Sequence, residues 1–516
     1  VGDDPGVSPV PLFLSDEQEA AIQRVLSKPE GMHYIFGPTG SGKTEVYLRI
    51  AGEILEQGKA VIYLVPEIAL THQVEKTIRR RFGNLVAVLH SRLTASQRLT
   101  EWKRIRRQEA RLIVGARSAV FAPAPRLGAV VIDEEHEGSY KSGNVPRYHA
   151  RQVAAKRCRD AGAPLILGSA TPSLEAWHQM EAGNITRSVL TKRLAGGHMP
   201  AIEIANLRGA SGVLTPQLIE AIRTTYEEGY QSILFLNRRG HSYFYHCRSC
   251  GHVFSCPRCS VTLTYHRSAG AAVCHYCGHR ERLPESCPEC GSLDVGSGGL
   301  GTEGVEEEVA RTFPHLRIAR IDTDAVRKRG ALVEILRAFE ARELDLLLGT
   351  QMVAKGLNFP GVKLVGIISG DTGLMLPDFR AAERTFSLIT QVAGRAGRFI
   401  PDGKVVIQTL HPGASAIRRA VQREDREFYQ EEAEIRRTLL FPPHARVFRF
   451  VVRGKSRSKV TEAAHSLASA LAGVPRDDTL GPADCPLAKI AGNSRMHIML
   501  LTRHFGRTHG ALSPVL

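Results

Sequence analysis

The stretch Gly37-Pro38-Thr39-Gly40-Ser41-Gly42-Lys43-Thr44 lies between a short apolar run at 33–36 and a segment with helical spacing at 45–57. It matches the phosphate-binding pattern G-x-x-x-x-G-K-[ST], which is meaningful only between a strand and a helix. In that setting the glycine-rich backbone and the helix N-terminus surround the phosphates of a nucleotide. Lys43 is then expected to reach the β- and γ-phosphates of ATP, and Thr44 to hold Mg²⁺. The alternative, a chance glycine-rich turn, is disfavoured because the flanking strand and helix are both present.

A second polar cluster ends another apolar run, in the stretch Val130-Val131-Ile132-Asp133-Glu134-Glu135-His136. Oxygen ligands at the end of a strand suit a hard cation such as Mg²⁺. We therefore expect Asp133 to be the metal ligand, and Glu134 to orient or deprotonate an attacking water. Alone, the run would be interpreted as a solvated acidic turn. Together with the phosphate loop, it predicts a site that hydrolyses a nucleotide.

Apolar runs and helical segments alternate through most of the first 230 residues. The runs are continuous, which is typical of strands that are buried on both faces. This alternation predicts βαβ units, and hence an α/β fold in which helices cover a parallel sheet. The expected strands of this first lobe are 33–36, 60–65, 85–89, 112–114, 129–132 and 165–167.

A second set of apolar runs predicts another α/β lobe, which a cysteine-rich block interrupts after the first strand. Its expected strands are 232–236, 316–321, 345–348, 364–368 and 405–410. A basic strand-like segment at 446–453 and a helical segment at 461–471 predict a small α+β domain at the C-terminus. The expected division is 1–13 as a residual linker, 14–230 as the ATP-binding lobe, 231–246 with 291–440 as the second lobe, 247–290 as a zinc-binding insertion, and 441–516 as the C-terminal domain.

Eight of the ten cysteines form four C-x-x-C pairs: Cys247 with Cys250, Cys256 with Cys259, Cys274 with Cys277, and Cys287 with Cys290. Each pair can present two thiolates to one metal, so four pairs supply two tetrahedral Cys₄ zinc sites. The spacing leaves the pairing open. Sequential pairing joins the first pair to the second and the third to the fourth, whereas nested pairing joins the outer two pairs and the inner two. Disulfides are the alternative, which a reducing compartment would exclude.

The chain is basic, with 68 Lys and Arg against 52 Asp and Glu and a formal net charge of +16. Such a balance suits a polyanion such as nucleic acid, although it also serves solubility. No run of 18 apolar residues predicts a transmembrane helix. The first residues carry neither the basic nor the apolar region of a secretory leader, so the cytoplasm is the expected location.

The stretch from Gln391 to Arg398 is predicted to be helical and lies in the second lobe. Arg395 and Arg398 are three residues apart, so a helix would direct both to the same side. From a second lobe they could reach the γ-phosphate as arginine fingers when the cleft closes. ATP binding would then control the positions of the lobes. Alone, the stretch would be interpreted as an exposed basic turn.

Together these segments resemble superfamily 2 helicases with two RecA-like lobes, and most closely the PriA family of bacterial replication-restart helicases. The resemblance covers roughly residues 14–500, and the eight-cysteine insertion at this point of the second lobe is its most specific feature. Besides the phosphate loop, 133–136 and 391–398, the stretches that carry it are 65–71, 139–141, 146–151, 168–173, 236–240, 349–356 and 378–385.

The resemblance implies further site residues. Gln18 is expected to recognise the adenine base. The segment 139–151 is similar to the aromatic-rich loop through which the family couples bound single-stranded DNA to ATP hydrolysis, although Ser142 stands where the family often has glutamine. Aromatic rings can stack on bases while cations meet phosphates. The residues expected to do so are Tyr140, Lys141, Arg147, Tyr148 and Arg151.

The resemblance also implies the nested pairing of the cysteines, with strand separation and partner docking as the tasks of the insertion. The implied function is an ATP-dependent 3′-to-5′ DNA helicase at stalled or branched replication forks, which initiates replication restart and primosome assembly. Its cofactors would be ATP, Mg²⁺ and two Zn²⁺. Its partners would be DNA as forks, single strands and duplex, the single-stranded DNA-binding protein, and the primosome proteins that load the replicative helicase.

Two rival functions fit parts of the sequence. A zinc-dependent scaffold would bind forks and recruit replication proteins without unwinding. It gains weight because only residues 1–13 precede Leu14, where the family usually carries a region that binds DNA 3′ ends. An RNA-directed helicase would share the motor motifs. The segment 505–516 does not resemble the end of the family's C-terminal domain, so we expect that domain to be truncated.

Overall fold

The computed structural model resolves the chain into two compact units, Val1–Gly197 and His198–Leu516. Several expected motif residues lie outside the described residues, among them Arg398, Asn237–Gly240 and the ranges 67–71 and 350–356. The described residues are 13–66, 72–91, 93–193, 199–208, 212–236, 245–247, 249–259, 261–266, 271–282, 284–297, 302–321, 331–349, 359–396, 400 and 402–512.

The first unit is built around a parallel sheet of seven strands that helices cover. The strands are β1 (Gly31–Phe36), β2 (Ala60–Leu64), β3 (Val86–Leu89), β4 (Leu112–Gly115), β5 (Leu127–Asp133), β6 (Pro164–Ser169) and β7 (Thr186–Val189). The helices are α1 (Asp16–Ser27), α2 (Lys43–Glu56), α3 (His72–Phe82), α4 (Ala95–Arg106), α5 (Ala150–Ala161) and α6 (Leu174–Glu181). The strand order is β3-β4-β2-β5-β6-β1-β7, with every described pairing parallel.

Burial explains why the apolar runs of the first unit became strands. Every residue of β2 is buried, as the continuous run 60–65 predicts for a strand with helices on both faces. Helix α2 packs Val46, Ile50 and Ile54 against this sheet from one side. The parallel α/β lobe predicted for this part of the chain is therefore confirmed.

The second unit contains another parallel sheet, two small sheets in or beside the cysteine-rich insertion, and an antiparallel sheet near the C-terminus. Its strands are β8 (Ala201–Asn206), β9 (Gln231–Phe235), β10 (Tyr245–Cys247), β11 (Thr264–His266), β12 (Ala271–Val273), β13 (Arg280–Glu281), β14 (Val295–Ser297), β15 (Ile318–Ile321), β16 (Leu346–Gly349), β17 (Val362–Ile367), β18 (Lys404–Thr409), β19 (Arg446–Gly454), β20 (Asp478–Ile490) and β21 (Asn493–Thr502). Its helices are α7 (Pro216–Glu227), α8 (Thr302–Thr312), α9 (Ala331–Glu340), α10 (Ala381–Ala393), α11 (Ser415–Gln422), α12 (Asp425–Thr438), α13 (Arg457–Ala470) and α14 (Phe505–Leu512).

The large sheet of the second unit has the order β15-β16-β9-β17-β18-β8 and is parallel in its described pairings. With the first sheet it gives the two RecA-like lobes that the sequence predicts. The boundary differs, however, from the division expected at residue 230. Strand β8 pairs with β18, and helix α7 packs Leu218 and Ile222 into the core of this second sheet. The second unit therefore begins at His198, about thirty residues earlier, because these pairings lie within its own sheet.

The insertion and the C-terminal domain share one apolar core. The two-stranded sheet β10-β14 flanks the insertion, and the insertion contains the three-stranded sheet β11-β12-β13. The C-terminal domain contains β19-β21-β20 with α13 and α14. Buried side chains from both parts form a single cluster, which includes Phe254, Val261, Leu263, Tyr276, Phe441, Met499 and Leu501. The insertion is therefore packed into the second unit rather than attached by a linker.

Two buried histidines add polar contacts to this shared core. His275 of the insertion has its Nδ1 atom 2.9 Å from the carbonyl oxygen of Asp484. The Nε2 atom of His497 in β21 is hydrogen-bonded to the carbonyl oxygen of His275, and its Nδ1 atom accepts a bond of 2.8 Å from Arg449. Burial lowers the pKa of His497 to about 4, which keeps the ring neutral at physiological pH.

Within the described part of the chain, we find no helix with the length and apolar character that a membrane span requires.

A buried arginine joins α12 to α10. The Arg436 side chain is 1% exposed and pairs with Glu383 at 2.6 Å and with Glu432 at 2.8 Å. Replacing Arg436 by methionine is expected to destabilise the second unit by about 3–5 kcal/mol, because two buried carboxylates would lose their partner. Urea unfolding measures this loss. The neighbouring exposed pair of Arg437 with Glu434 provides the control, since Arg437→Met should leave stability unchanged. Equal free energies of unfolding for Arg436→Met and Arg437→Met would contradict the role of Arg436 in joining α12 to α10.

Candidate nucleotide site and cysteine clusters

The phosphate loop lies between β1 and α2, as the sequence predicts. Gly40 and Gly42 have φ angles of +90° and +79°, which a residue with a Cβ rarely adopts. A Cβ on Gly37 would lie 2.6 Å from the carbonyl oxygen of Leu190, so the third glycine is required by close packing. These three positions let the backbone fold into the compact loop that α2 follows directly, with Gly42 at the N-cap.

Two predicted nucleotide-binding side chains contact this loop. The Lys43 ammonium group donates to the carbonyl oxygens of Gly37 at 2.7 Å and Pro38 at 3.1 Å. Gln18 is buried and donates from Nε2 to the Ser41 carbonyl oxygen at 3.2 Å. Its Oε1 atom accepts from the Ser15 backbone N–H at 2.9 Å, which completes a capping box at the start of α1. Gln18 is thus a structural brace of the loop as well as a candidate for base recognition.

The donor set around the loop fits a bound phosphate. Among the described residues, the buried Ser41 Oγ and Tyr47 hydroxyl have no hydrogen-bond partner. Buried polar groups are nearly always satisfied, so an unpaired hydroxyl inside a glycine-rich loop indicates a ligand that completes the bonding. Thr39 completes the loop beside these residues and is partly exposed.

Asp133 and Glu134 stand at the end of β5, next to the loop. Tyr63 donates to Asp133 Oδ2 at 3.3 Å, and the Thr44 side chain interacts with the same phenol. Burial and the neighbouring charge of Glu134 raise the pKa of Asp133 to about 7, while Lys43 opposes this rise. A divalent cation beside this carboxylate would favour its charged form, and a hydroxyl with a carboxylate suits Mg²⁺. Thr44 and Asp133 therefore fit the predicted magnesium site.

Ser169 connects the predicted catalytic carboxylate to the next strand. This residue ends β6, and its hydroxyl donates to Glu134 Oε2 at 3.0 Å. The Ser169 Oγ atom also lies 2.8 Å from His136 Nδ1 and accepts a hydrogen bond of 3.0 Å from the Thr171 backbone N–H. Glu134 itself has a φ of +47°, a strained value for a side chain of this kind. The structure thus holds Glu134 in one orientation at the end of the sheet.

Glu135, unlike the partly exposed Glu134, is buried. It accepts hydrogen bonds from the Ser173 backbone N–H at 2.7 Å and from Tyr34 at 3.4 Å. Arg151 pairs with it at 2.9 Å and also donates to the Ser173 hydroxyl at 3.0 Å. A buried carboxylate therefore holds one side of the Arg151 guanidinium group, and the contact of Arg151 with DNA phosphates stays a prediction.

Tyr140 also differs from the prediction. Its side chain is 1% exposed, and its hydroxyl donates to the carbonyl oxygens of Asp133 at 2.7 Å and Leu64 at 3.2 Å. A ring buried in this way cannot stack on a base. Its hydroxyl instead attaches the start of the 139–151 loop to Asp133 at the end of β5 and to Leu64 at the end of β2.

The outer part of the same loop is accessible. Lys141 and Arg147 are exposed, and Tyr148 is half-buried. The Tyr148 ring meets Phe121 edge-on at a centroid distance of 4.8 Å, and the guanidinium of Arg117 lies 5.9 Å from its centre. Arg117 and Phe121 belong to a short segment whose sequence carries no spacing pattern that indicates a role.

Arg395 lies just after α10, in the second unit. The residue is half-buried, and its backbone N–H donates to the Val392 carbonyl oxygen at 3.1 Å. The helix that precedes it is almost entirely buried, including Gln391. The predicted second finger, Arg398, lies outside the described residues.

The eight cysteines form two clusters, each with four sulfur atoms within 4.8 Å of one another. One contains Cys247, Cys250, Cys287 and Cys290, and the other contains Cys256, Cys259, Cys274 and Cys277. This is the nested arrangement that the family resemblance implies, and the sequential alternative is excluded. No disulfide is present among the described cysteines, which are all free.

The geometry of both clusters fits a tetrahedral metal. The Sγ atoms of Cys247 and Cys290 are 3.6 Å apart, and those of Cys256 and Cys277 are 3.7 Å apart. Zinc–sulfur bonds of about 2.3 Å in a tetrahedron place sulfurs at about 3.8 Å. Gly251, Gly278 and Gly291 have positive φ angles and close the turns after three of the pairs. Zinc is therefore the ion that these residues would hold.

Comparisons with known families agree with this organisation. A DEAD/DEAH box helicase model matches residues 15–180, and a helicase conserved C-terminal domain model matches 302–400. A model of the PriA DNA helicase Cys-rich region matches 256–282. A model of the primosomal protein N C-terminal domain matches 437–516.

Individual relatives match nearly the whole chain. The replication restart protein PriA of Treponema pallidum is 52% identical over 495 residues, which are 95% of this chain and 75% of that protein. The Bacillus subtilis protein of the same name is 42% identical over 519 residues, covering 98% of this chain and 64% of the relative. Among solved structures, the DUF1998 helicase MrfA bound to DNA superposes with a TM-score of 0.48 and 16% identity, over 81% of this chain and 51% of that chain.

Proposed function

Because the chain belongs to the PriA family of replication restart helicases, we propose that it hydrolyses ATP to unwind DNA with 3′-to-5′ polarity at stalled or branched replication forks. The observation that supports this most strongly is the clustering of Lys43, Asp133 and Glu134 at one edge of the first sheet. The chain spans 64% to 75% of the length of the two relatives described above, so the activity of the complete relatives is part of the proposal.

Hydrolysis would use these side chains in distinct roles. The loop backbone and Lys43 bind the β- and γ-phosphates, and Gln18 recognises the base. Glu134, oriented by the Ser169 hydroxyl, positions the attacking water and accepts its proton. Mg²⁺, held by Thr44 and Asp133, would neutralise charge on the phosphates. By family resemblance, Arg395 and Arg398 would supply further positive charge to the γ-phosphate.

DNA would be detected by the loop 139–151. Lys141 and Arg147 contact phosphates and Tyr148 stacks on a base. Tyr140 provides a direct connection from this loop to the site of hydrolysis, because its hydroxyl donates to the carbonyl oxygen of Asp133. A displacement of the loop by bound DNA would therefore reach the strand that carries the metal ligand.

The two cysteine clusters would each bind zinc and make the insertion rigid. The rigid insertion would separate the strands and dock protein partners. By family membership, those partners would include the single-stranded DNA-binding protein and the primosome proteins that load the replicative helicase.

An unwinding assay tests the proposal and its rivals together. Forked duplexes with a single 3′ or 5′ arm are incubated with ATP and Mg²⁺, and strand release is followed by fluorescence. We expect release only from the duplex with the 3′ arm, because a helicase that moves 3′-to-5′ along this arm runs into the duplex. An assembly scaffold would bind the fork but leave it annealed. An RNA-directed helicase would show stronger stimulation of ATP hydrolysis by single-stranded RNA than by DNA of the same sequence.

A further inference from the structure

We propose that Phe121 and Tyr148 form a base-stacking platform for single-stranded DNA on the surface of the first unit. This inference rests on the proposed function for the identity of the ligand. It adds to the DNA-coupling loop a residue from a separate segment, Arg117–Phe121, which follows β4.

Phe121 is unusual because its side chain is 45% exposed while Ala119 and Val120 beside it are fully buried. The two aromatic rings meet at an interplanar angle of 74°, which is an edge-to-face contact. In such a pair the two rings do not cover each other face to face. The Arg117 guanidinium lies over the Tyr148 ring, so the exposed Phe121 ring is the surface that a base can reach. An exposed aromatic pair of this kind is suited to planar bases.

The platform is held in place before any ligand binds. The carbonyl oxygen of Val120 accepts a hydrogen bond from Arg157 on α5. Arg117 donates to the carbonyl oxygens of Ser139 at 2.9 Å and Lys141 at 2.8 Å, so it ties the segment to the loop. Binding to a surface that is already ordered costs less conformational entropy, which favours affinity.

The surroundings identify single-stranded DNA as the occupant. Lys141 and Arg147 are exposed in the same loop, and Val145 is 85% exposed between them. Aromatic rings beside cations form the usual combination for unpaired nucleic acid, because the rings stack on bases while the cations contact phosphates. In a duplex the bases are already stacked, so a duplex would use the cations but not Phe121.

The test compares two ligands that differ only in their bases. Binding of wild type and Phe121→Ala is measured by fluorescence anisotropy, without nucleotide, on an oligodeoxythymidine strand and on an abasic strand with the same number of phosphates. We expect Phe121→Ala to bind oligodeoxythymidine about 5- to 100-fold more weakly. Binding to the abasic strand should be unchanged, and Phe121→Trp should restore affinity for the strand with bases.

Two control variants make the result specific. Phe13 is 91% exposed in the same unit, so Phe13→Ala removes an exposed phenylalanine outside the platform and should not alter binding. Lys141→Ala should weaken binding to both strands equally and reduce its salt dependence. Melting temperatures verify that each variant is folded.

Three results would overturn the platform: full affinity of Phe121→Ala for oligodeoxythymidine, an equal loss on both strands, or equal affinity of the wild type for both strands. Because no ATP is present, the binding result stands even if the wild type proves unable to unwind DNA. Conversely, normal unwinding with no effect of Phe121→Ala would refute the platform and leave the proposed function intact.

Discussion

Replacing Lys43 by alanine is expected to lower DNA-stimulated ATP hydrolysis by about 10²- to 10³-fold. The Lys43 ammonium group is buried in the phosphate loop, against the carbonyl oxygens of Gly37 and Pro38. It would therefore be fixed beside the γ-phosphate, where negative charge develops during hydrolysis. The measurement is phosphate release at saturating ATP and oligodeoxythymidine.

The substitution of Lys43 should impair only ATP hydrolysis, and not folding or zinc binding. Zinc content and melting temperature are expected to stay close to those of the wild type, because the hydrogen bonds described for Lys43 lie within the loop itself. Lys103→Ala removes an exposed lysine on α4 of the same unit and should hydrolyse ATP normally. Normal turnover by Lys43→Ala would refute the assignment of the nucleotide site.

Replacing Cys274 by serine is expected to reduce bound zinc from two equivalents to one and to disrupt the folding of the C-terminal domain. Structural zinc contributes about 10–16 kcal/mol of apparent binding free energy in small peptides. That is comparable with the whole stability of a domain, about 5–15 kcal/mol. Cys274 lies in the apolar core that the insertion shares with Phe441, Met499 and Leu501. Zinc analysis and hydrogen exchange of β21 measure the two effects.

Two further cysteine variants separate the clusters. Cys485 is buried in the C-terminal domain but belongs to neither cluster, so Cys485→Ala should retain both zinc equivalents. Cys290 is exposed and belongs to the other cluster, so Cys290→Ser should reduce zinc binding but leave β21 protected from exchange. Retention of two zinc equivalents by Cys274→Ser would contradict the cluster assignment.

Most of the sheet architecture could be predicted because strands that are buried on both faces of a parallel sheet consist of continuous apolar runs. The runs at 60–65 and 129–132 are continuous and apolar, and both became central strands. Strand β8 was missed because it lies at the edge of its sheet, where one side has no neighbouring strand within the described part of the chain. Its alternating sequence, Ala-Ile-Glu-Ile-Ala, therefore lacks the continuous apolar character of the central strands.

The candidate site could be predicted where its residues form a motif of a few neighbouring positions in the sequence. The phosphate loop, the Asp133-Glu134 run and each of the four C-x-x-C pairs can be recognised within a few consecutive residues. The orientations of Tyr140 and Arg151 were not predictable, because their partners come from distant segments. The Tyr140 hydroxyl is bonded to acceptors at the ends of two different strands, and Arg151 on α5 is held by Glu135 from the turn after β5. A polar loop gives no local signal of such contacts.

The common core of the metal-binding insertion and the last domain has a consequence for protein engineering. Phe441, Met499 and Leu501 are far from the cysteines in sequence, yet they cover the inner surface of the inner cluster. If residues 247–290 were grafted onto another motor, the apolar surface of the insertion that Phe441, Met499 and Leu501 cover would be exposed to solvent. The cassette that can be transplanted is therefore larger than the cysteine pattern suggests, and it must carry β19 and β21 with it.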